Sequence, residues 1–421
     1  MSSKLEKRIL HVDINSYFAT ILQQENPNLR NRPIGVVKDK GRTCIIAASK
    51  EAKKLGIRTG SLASEARFKA PELLLVPARF AIYLDCTRRL KRIFSDLAPT
   101  VDIFSLDEAF IDITDCSNIY PDAEAFARQI QAQIKLQLGE WVTCNVGISY
   151  TRLLAKLASE VSPKGSVTTI NSENRDGYLS QASFSDICGV GYRLEKKLSR
   201  LGITNPYQIN FFTKEDLEPL VGPFWVKELL KIAQGQDSKT LSGIDERRQQ
   251  PMKSVGRTIT GFKLCDDEET IKQMLYNLSE EAAHKIRQME MSARHVGVLL
   301  TGSGRGAASR SGHSWYRHKT LPRYIHRTQD VFELIYQFYQ QWERSFAVIR
   351  FGVFLSDLKP LNQVQSSLFE TEQQKDILTQ AVDQINSRYG LFTVRPATLV
   401  KARLIRPEVT GFLGDRIFHG L

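Results

Sequence analysis

A chain of 421 residues exceeds what one ordinary hydrophobic core organises, so two to four domains are expected. Hydrophobic residues at 42% and charged residues at 25% argue against a disordered chain and fit a soluble globular protein. Fifty-eight Lys and Arg against 46 acids leave a formal charge of +12, which points to a polyanionic partner.

In chain order, residues 8–14 read as a buried strand, followed by a helix from Tyr17 to Glu25 that stops at Asn26-Pro27. Arg32–Val37 and Thr43–Ala47 read as two short strands around a Gly-containing turn, and Ser49–Leu55 as a helix closed by Gly56. Two further helices, broken by Gly60 and Pro71, are expected up to Pro77. A helix over Phe80–Leu97 precedes a strand pair over Val101–Ile113. Ala123–Leu138 is a second amphipathic helix, Trp141–Ser149 a strand and Leu153–Glu160 a helix. This alternation argues a mixed α/β domain over residues 1–170. Residues 171–243 change to short helices, and Gly189-Val190-Gly191 falls in a helix-hairpin-helix pattern whose glycines let backbone amides approach a DNA phosphate. The polar stretch Ser238–Pro251 reads as a linker. Beyond it lies an α+β module, with strands at Met252–Thr260, His295–Gly302 and Ala347–Leu355 and helices at Glu268–Glu290 and Gln329–Trp342. A last helix is expected at Gln373–Tyr389.

The six cysteines (Cys44, Cys86, Cys116, Cys144, Cys188, Cys265) are dispersed with no C-x-x-C pair and read as reduced thiols rather than a zinc or disulfide framework. No signal peptide or membrane span is visible, so a cytoplasmic protein without membrane contact is expected.

Two acid-bearing segments carry the chemistry. Asp13 ends the apolar run Ile9-Leu10-His11-Val12, and Asp107-Glu108 interrupts the strand-like stretch Val101–Ile113. Apolar strands place acids reluctantly, because an unpaired buried carboxylate costs several kcal/mol or titrates to neutral. Three acids brought together repel one another unless divalent cations sit between them. That is a site for two-metal phosphoryl or nucleotidyl transfer, with oxygen ligands suited to Mg²⁺. Adjacent strand residues point to opposite faces, so Asp107 and Glu108 share a metal site only if the backbone turns there. Asp112 shares the strand phase of Glu108.

Residues 291–329 contain Arg294, Arg305, Arg310, Arg317, Lys319, Arg323 and Arg327 and no acid, with Trp315 and Tyr316 interleaved. Such a segment can follow a phosphate backbone without reading bases. A solvated basic loop fits the same composition.

Val12-Asp13-Ile14-Asn15-Ser16-Tyr17-Phe18-Ala19 and Ser105-Leu106-Asp107-Glu108-Ala109-Phe110, in this order and spacing, resemble the two signature motifs of Y-family translesion DNA polymerases. Val146–Ser149 with Leu154–Ser159 resembles the third motif, and Lys253–Arg257 the first strand of the family's little finger. The segment Ala47–Lys53 looks closer to the UmuC-like branch than to the DinB-like one. The resemblance covers residues 8 to about 360. It implies a right-hand polymerase of mixed α/β and α+β domains: a palm over 1–19 and 79–168, small fingers over 20–78, a helical thumb with its helix-hairpin-helix over 169–243, and a little finger over 250–360. A C-terminal tail fills 361–421.

The implied activity is low-fidelity DNA-directed DNA synthesis across lesions, in DNA repair and the SOS damage response. Asp13, Asp107 and Glu108, with the carbonyl of Ile14, would hold two Mg²⁺ ions. Phe18 matches the steric gate that selects deoxynucleotides. The amides of Ser16, Tyr17 and Phe18 and the side chains of Lys53 and Lys156 match triphosphate contacts. Gly189, Gly191, Lys253, Arg257, Arg305 and Arg310 would meet primer-template DNA. Gln365-Ser366-Ser367-Leu368-Phe369 resembles the bacterial sliding-clamp-binding pentapeptide, with Gln365, Leu368 and Phe369 as anchors. Accessory subunits, as for some UmuC-like relatives, are further partners the resemblance allows. A non-catalytic DNA- and clamp-binding adaptor of the same family is the alternative, against which the retained acids argue. A metal-dependent nuclease would use paired acids too.

Overall fold

The computed structural model describes residues 7–38, 44–116, 118–241, 252–304, 312–365, 369–390 and 392–399, which fall into two compact units, one through residue 241 and one over 252–399. The first unit begins with β1 (Ile9–Ile14), α1 (Tyr17–Glu25), β2 (Ile34–Val37), β3 (Ile45–Ala48), α2 (Lys50–Lys54), α3 (Ala63–Lys69), β4 (Leu74–Pro77) and α4 (Phe80–Leu97). It continues with β5 (Thr100–Ile103), β6 (Glu108–Asp112), α5 (Ala123–Leu138), β7 (Cys144–Ser149), α6 (Arg152–Val161) and β8 (Val167–Thr169). Four short helices follow: α7 (Arg175–Gln181), α8 (Tyr192–Ser199), α9 (Lys214–Val221) and α10 (Pro223–Ala233).

Five of these strands form a sheet of order β5-β6-β1-β7-β8, in which β1 runs antiparallel to both neighbours. Alternation along β1 divides its side chains between two cores. Leu10, Val12 and Ile14 pack with Leu90, Ile93 and Phe94 of α4 and Ile130 and Ile134 of α5. Ile9, with Phe110 of β6, packs on Leu153, Leu154 and Leu157 of α6. His11 and Asp13 share the phase of Ile9 and so lie on the α6 side. That helix comes so close to β7 that a Cβ at Gly147 would lie 2.0 Å from the Ala155 carbonyl oxygen, a space only glycine leaves open.

The second, three-stranded sheet has the order β3-β2-β4, with β4 parallel to β2. Here an expectation fails: Leu74–Pro77 is a strand, not the end of a helix. An apolar run this short does not distinguish the two by periodicity, and pairing with the buried β2 decides it. Helices α7–α10 gather around Leu179, Phe184, Leu198, Leu217 and Leu229.

The second unit holds β9 (Ser254–Cys265), α11 (Glu268–Gln288), β10 (Met291–Gly304), β11 (Gly312–Ile325), α12 (Thr328–Gln340), β12 (Phe346–Pro360) and α13 (Glu370–Tyr389). Its strands form an antiparallel sheet of order β11-β10-β12-β9, and α11 and α12 cover one face through Leu275, Ile286, Ile335, Val298 and Val353. The basic segment 312–325 is therefore an edge strand rather than a loop. Helix α13 is tied to α11 by Asp383, which accepts from Arg287 Nε and Nη2 at 2.6 and 3.0 Å. Among the described residues no helix is long and apolar enough to cross a membrane.

Candidate active site

Asp13 and Glu108 are direct partners across the β1–β6 pair, on the α6 side of the sheet. Asp107 lies just outside β6, where Phe104 N–H and Ser105 N–H both donate to the Glu108 carbonyl, at 3.0 and 3.2 Å. This is the backbone turn that two neighbouring acids need to reach one site. The Asp107 carbonyl in turn accepts Ile14 N–H at 2.9 Å, locking the turn to the end of β1. All four residues expected to hold metal thus meet at one point of the sheet.

The three carboxylates have unlike surroundings. Glu108 Oε2 accepts from Lys156 Nζ and, at 3.1 Å, from His11 Nε2. Burial alone would raise the Glu108 pKa, but the hydrogen bond from His11 and the charge of Lys156 together hold it at about 2. At Asp13 the charge of Lys164 acts in the same sense but does not prevail. Burial, and then the negative charge of Asp107, push its pKa up to about 7. Burial also raises Asp107, although the Ser105 hydroxyl donates to its Oδ1 at 2.5 Å.

The donor set fits divalent cations: three carboxylates and a main-chain carbonyl, two of the acids destabilised as anions by burial. The three side chains do not close as a set to within 4.8 Å. Among the described residues that spacing is met only by Glu280, His284 and Asp383 of the second unit, where Arg287 already supplies the positive charge.

His11 was not singled out from the sequence. It is buried, in contact with Phe110 at 4.6 Å between ring centroids, and burial lowers its pKa. A neutral ring donates Nε2–H to Glu108, while Nδ1 lies 2.6 Å from Ser159 Oγ. Its strand phase, two residues before Asp13, was the available signal.

The chain leaves β1 through Ser16, whose φ of 50° is a left-handed conformation uncommon outside glycine. Beyond this turn the first amides of α1 have no intrahelical acceptor. Lys53 Nζ donates to Ser16 Oγ at 2.9 Å, so the α2 lysine sits at the same turn. Phe18 is half-buried, its ring edge-on to Tyr83 at 4.6 Å. Tyr17 is fully packed and donates to the Tyr83 carbonyl at 2.6 Å. Tyr17 Oη also lies 3.0 Å from Thr87 Oγ1, and that hydroxyl donates to the Leu106 carbonyl at 2.7 Å. Thr87, a residue that sequence reasoning missed, thereby joins helix α1 to the turn that carries Asp107.

The residues expected to meet DNA are scattered. Gly189 adopts φ 95°, and Gly191 caps α8 with open space where a Cβ would stand, so this backbone is accessible. Lys253 is exposed before β9. Arg257 is placed differently from expectation. It shares the phase of Val255 and Ile259 on the helix-covered face, with Nε 3.9 Å from Glu281 of α11. Arg305, Arg310 and Leu368 lie outside the described residues. Gln365 ends a described segment, and Phe369, at the start of α13, is 75% exposed.

The model of the impB/mucB/samB family matches residues 12–160, and that of the same family's C-terminal domain matches residues 252–368. DNA polymerase IV of Moorella thermoacetica is 31% identical over 392 residues, covering 91% of this chain and 93% of that protein. DNA polymerase IV of Acetivibrio thermocellus is 27% identical over 414 residues, covering 95% and 99%. Among solved structures, the Y-family DNA polymerase chimera Dbh-Dpo4(243-245)-Dbh superposes with a TM-score of 0.69 at 23% identity, over 84% of this chain and 99% of that one, which is a likeness of fold.

Proposed function

The chain belongs to the impB/mucB/samB family of Y-family DNA polymerases, and from that membership we propose that it copies damaged DNA by transferring nucleotides to a primer at Asp13, Asp107 and Glu108. It is a DNA-directed DNA polymerase, and its family is metal-dependent. The observation that carries the site assignment is the register: Asp13 opposite Glu108, with Asp107 on the turn bonded to Ile14.

Asp13, Asp107, Glu108 and the Ile14 carbonyl would hold two Mg²⁺ ions. Bound there, such ions acidify the primer 3′-hydroxyl and neutralise the triphosphate and the leaving pyrophosphate. The chain's own residues do the rest. Amides of Ser16, Tyr17 and Phe18 at the start of α1 receive the β- and γ-phosphates. Lys53, already at Ser16, and Lys156, beside Glu108, complement their charge. The Phe18 ring, backed by Tyr83, excludes a ribose 2′-hydroxyl.

Residues 1–19 and 79–168 serve as palm, 20–78 as fingers, 169–243 as thumb and 250–360 as little finger. Primer-template DNA meets Gly189, Gly191 and Lys253. The segment 365–369 is read as a sliding-clamp peptide, supported by the exposure of Phe369. A cytoplasmic, damage-induced role with accessory subunits belongs to the same proposal.

Primer extension with Mg²⁺ and deoxynucleoside triphosphates tests it. Asp107→Asn should abolish extension while DNA affinity stays near that of the parent. Extension by that variant would refute the assignment, and degradation of DNA without nucleotides would favour a nuclease.

A further inference from the structure

Lys53 reaches Ser16 from a weak support. Helix α2, which carries it, is five residues long, too short to hold itself together in water. Ser49 caps it, accepting Ala52 N–H at 3.2 Å, and of its five residues only Ala52 is buried. Its exposed side is fastened by a tryptophan from the turn between α5 and β7. Lys50 Nζ stands over the Trp141 ring, 4.7 Å from the centroid.

Trp141 is itself fixed from α1. Its main-chain N–H donates to Gln24 Oε1 at 2.9 Å, and its indole Nε1–H to Gln23 Oε1 at 3.1 Å. The same Gln23 donates from Nε2 to Glu51 Oε2 at 3.3 Å, which ties α2 to this group at a second point. Gly139 permits the close approach: it adopts φ 110°, and a Cβ there would lie 2.3 Å from the Gln24 side chain. A second cation, Arg30, lies 5.2 Å from the ring centroid, but its guanidinium is committed to the end of α1, donating to the carbonyls of Gln23 and Gln24 at 3.0 and 3.3 Å. Two residues beyond Trp141, the Thr143 carbonyl accepts Asn15 N–H at 2.9 Å. The backbone that carries the tryptophan is thus bonded to the residue preceding Ser16.

We propose that Trp141 is a positioning residue for Lys53: its ring face holds Lys50, and through Lys50 and Gln23 it fixes α2 so that the Lys53 ammonium stays at Ser16. The inference deepens the polymerase reading and rests on it for the role of Lys53 at the triphosphate. Lys50 and Lys53 are three residues apart and so are neighbours on one side of the helix, where restraint of the first is felt at the second. The Lys50 side chain is 62% exposed, and an ammonium left in water has no reason to keep one place. The negative face of an aromatic ring gives it one. A ring also attracts the ammonium without adding a further negative charge within one helical turn of a lysine meant for a triphosphate.

Two measurements on the full-length protein test it, with Trp141→Phe and Trp141→Leu compared. Both variants lose the indole bond to Gln23, and only Phe keeps an aromatic face, so the difference between them reads the face alone. Hydrogen exchange of the α2 amides, followed without DNA or nucleotide, should be about two- to fivefold faster in the Leu variant than in the Phe variant. In primer extension the Leu variant should raise KM for the nucleotide by a similar factor over the Phe variant, with kcat within about twofold. Combined with Lys53→Ala, Trp141→Leu should raise KM no further than Lys53→Ala does alone. A thermal melt of each variant verifies the fold. Equal exchange in the Phe and Leu variants, or KM effects that add in the double variant, would overturn this proposal alone. An unchanged KM in Lys53→Ala would be failure of the triphosphate reading of Lys53, and the positioning role would fall with it.

Discussion

Replacing Asp13 with Asn should make the metal-free protein more stable at alkaline pH, the reverse of what removing a well-paired carboxylate does. Asp13 has a folded-state pKa of about 7 against 3.8 for an ordinary aspartate, because burial and the charge of Asp107 oppose its ionisation. The native state therefore holds the Asp13 proton more tightly than the unfolded chain does. Its contribution is fully present below about pH 4 and is lost as pH rises to about 7. A displacement of about three pH units at about 1.36 kcal/mol each sets a ceiling of about 4 kcal/mol. An amide in place of the acid forgoes that loss but must satisfy its own N–H groups, which leaves a net gain of about 1–3 kcal/mol. For a unit of this size that is a rise in Tm of roughly 2–10 °C at pH 8 in chelator. The gain should vanish near pH 4 and shrink or reverse in millimolar Mg²⁺, where the native carboxylate finds its counter-charge. Calorimetry across pH with and without chelator reads all of this. Parallel pH–stability curves for the two proteins would refute the reasoning, since they would mean that Asp13 carries no electrostatic burden.

Thr87→Val keeps the shape of α4 but cuts the links to Tyr17 and to the Leu106 carbonyl. Leaving that carbonyl unsatisfied should cost about 1–3 kcal/mol in stability, and slackening between Phe18 and Asp107 should raise ribonucleotide incorporation relative to deoxynucleotide. Thr87→Ser should restore both, as read by single-turnover extension. In the second unit, Asp383 is held at about 2: burial opposes its ionisation, but the hydrogen bonds from His284 and Arg287 outweigh burial. The group's stabilising effect is thus present above pH 3.8 and lost as pH falls toward 2. Because Asp383 is partly solvated, its removal in Asp383→Asn should cost only about 1 kcal/mol, seen as faster hydrogen exchange of the α13 amides at pH 7. Unchanged exchange there would mean that α13 is held by other contacts.

What could be read from the sequence tracks where the side-chain pattern has one dominant cause. Helix α4 was legible to the residue because Leu90, Ile93 and Phe94 repeat at helical spacing against a single core. Strand β1 and its acid were legible for the opposite reason, a polar group where an apolar run should continue. Strand β11 was not, because neither of its faces is apolar: Ser314, Tyr316 and His318 alternate with Trp315, Arg317 and Lys319, and no period of two appears in hydrophobicity. Arg257 went astray in the same way. A basic residue beside a DNA-like motif invites a phosphate, yet strand phase sends it to Glu281 on the helix side. His11 and Thr87 are polar groups with wholly internal partners, Ser159 and Glu108 for one and Tyr17 and Leu106 for the other, so only the third dimension discloses their work.

The uneven charge among the three acids also bears on how the proposed site is filled. Glu108 is already neutralised from within the protein by Lys156, so its ionisation requires nothing from solution. For Asp13 and Asp107 burial outweighs the nearby lysines, and the charge of Asp107 adds to the burden on Asp13 near Ser16 and α1. In the proposed reaction an incoming triphosphate would add more negative charge at that same end. The deficit is therefore spatially confined, and a cation entering there relieves Asp13, Asp107 and the triphosphate together, each making the others' presence less costly. Cation and nucleotide binding should accordingly be cooperative, with coupling that weakens when Asp13 is neutral. Lys156 has the complementary part. In the proposed reaction its bond to Glu108 would have to loosen before it could face a triphosphate.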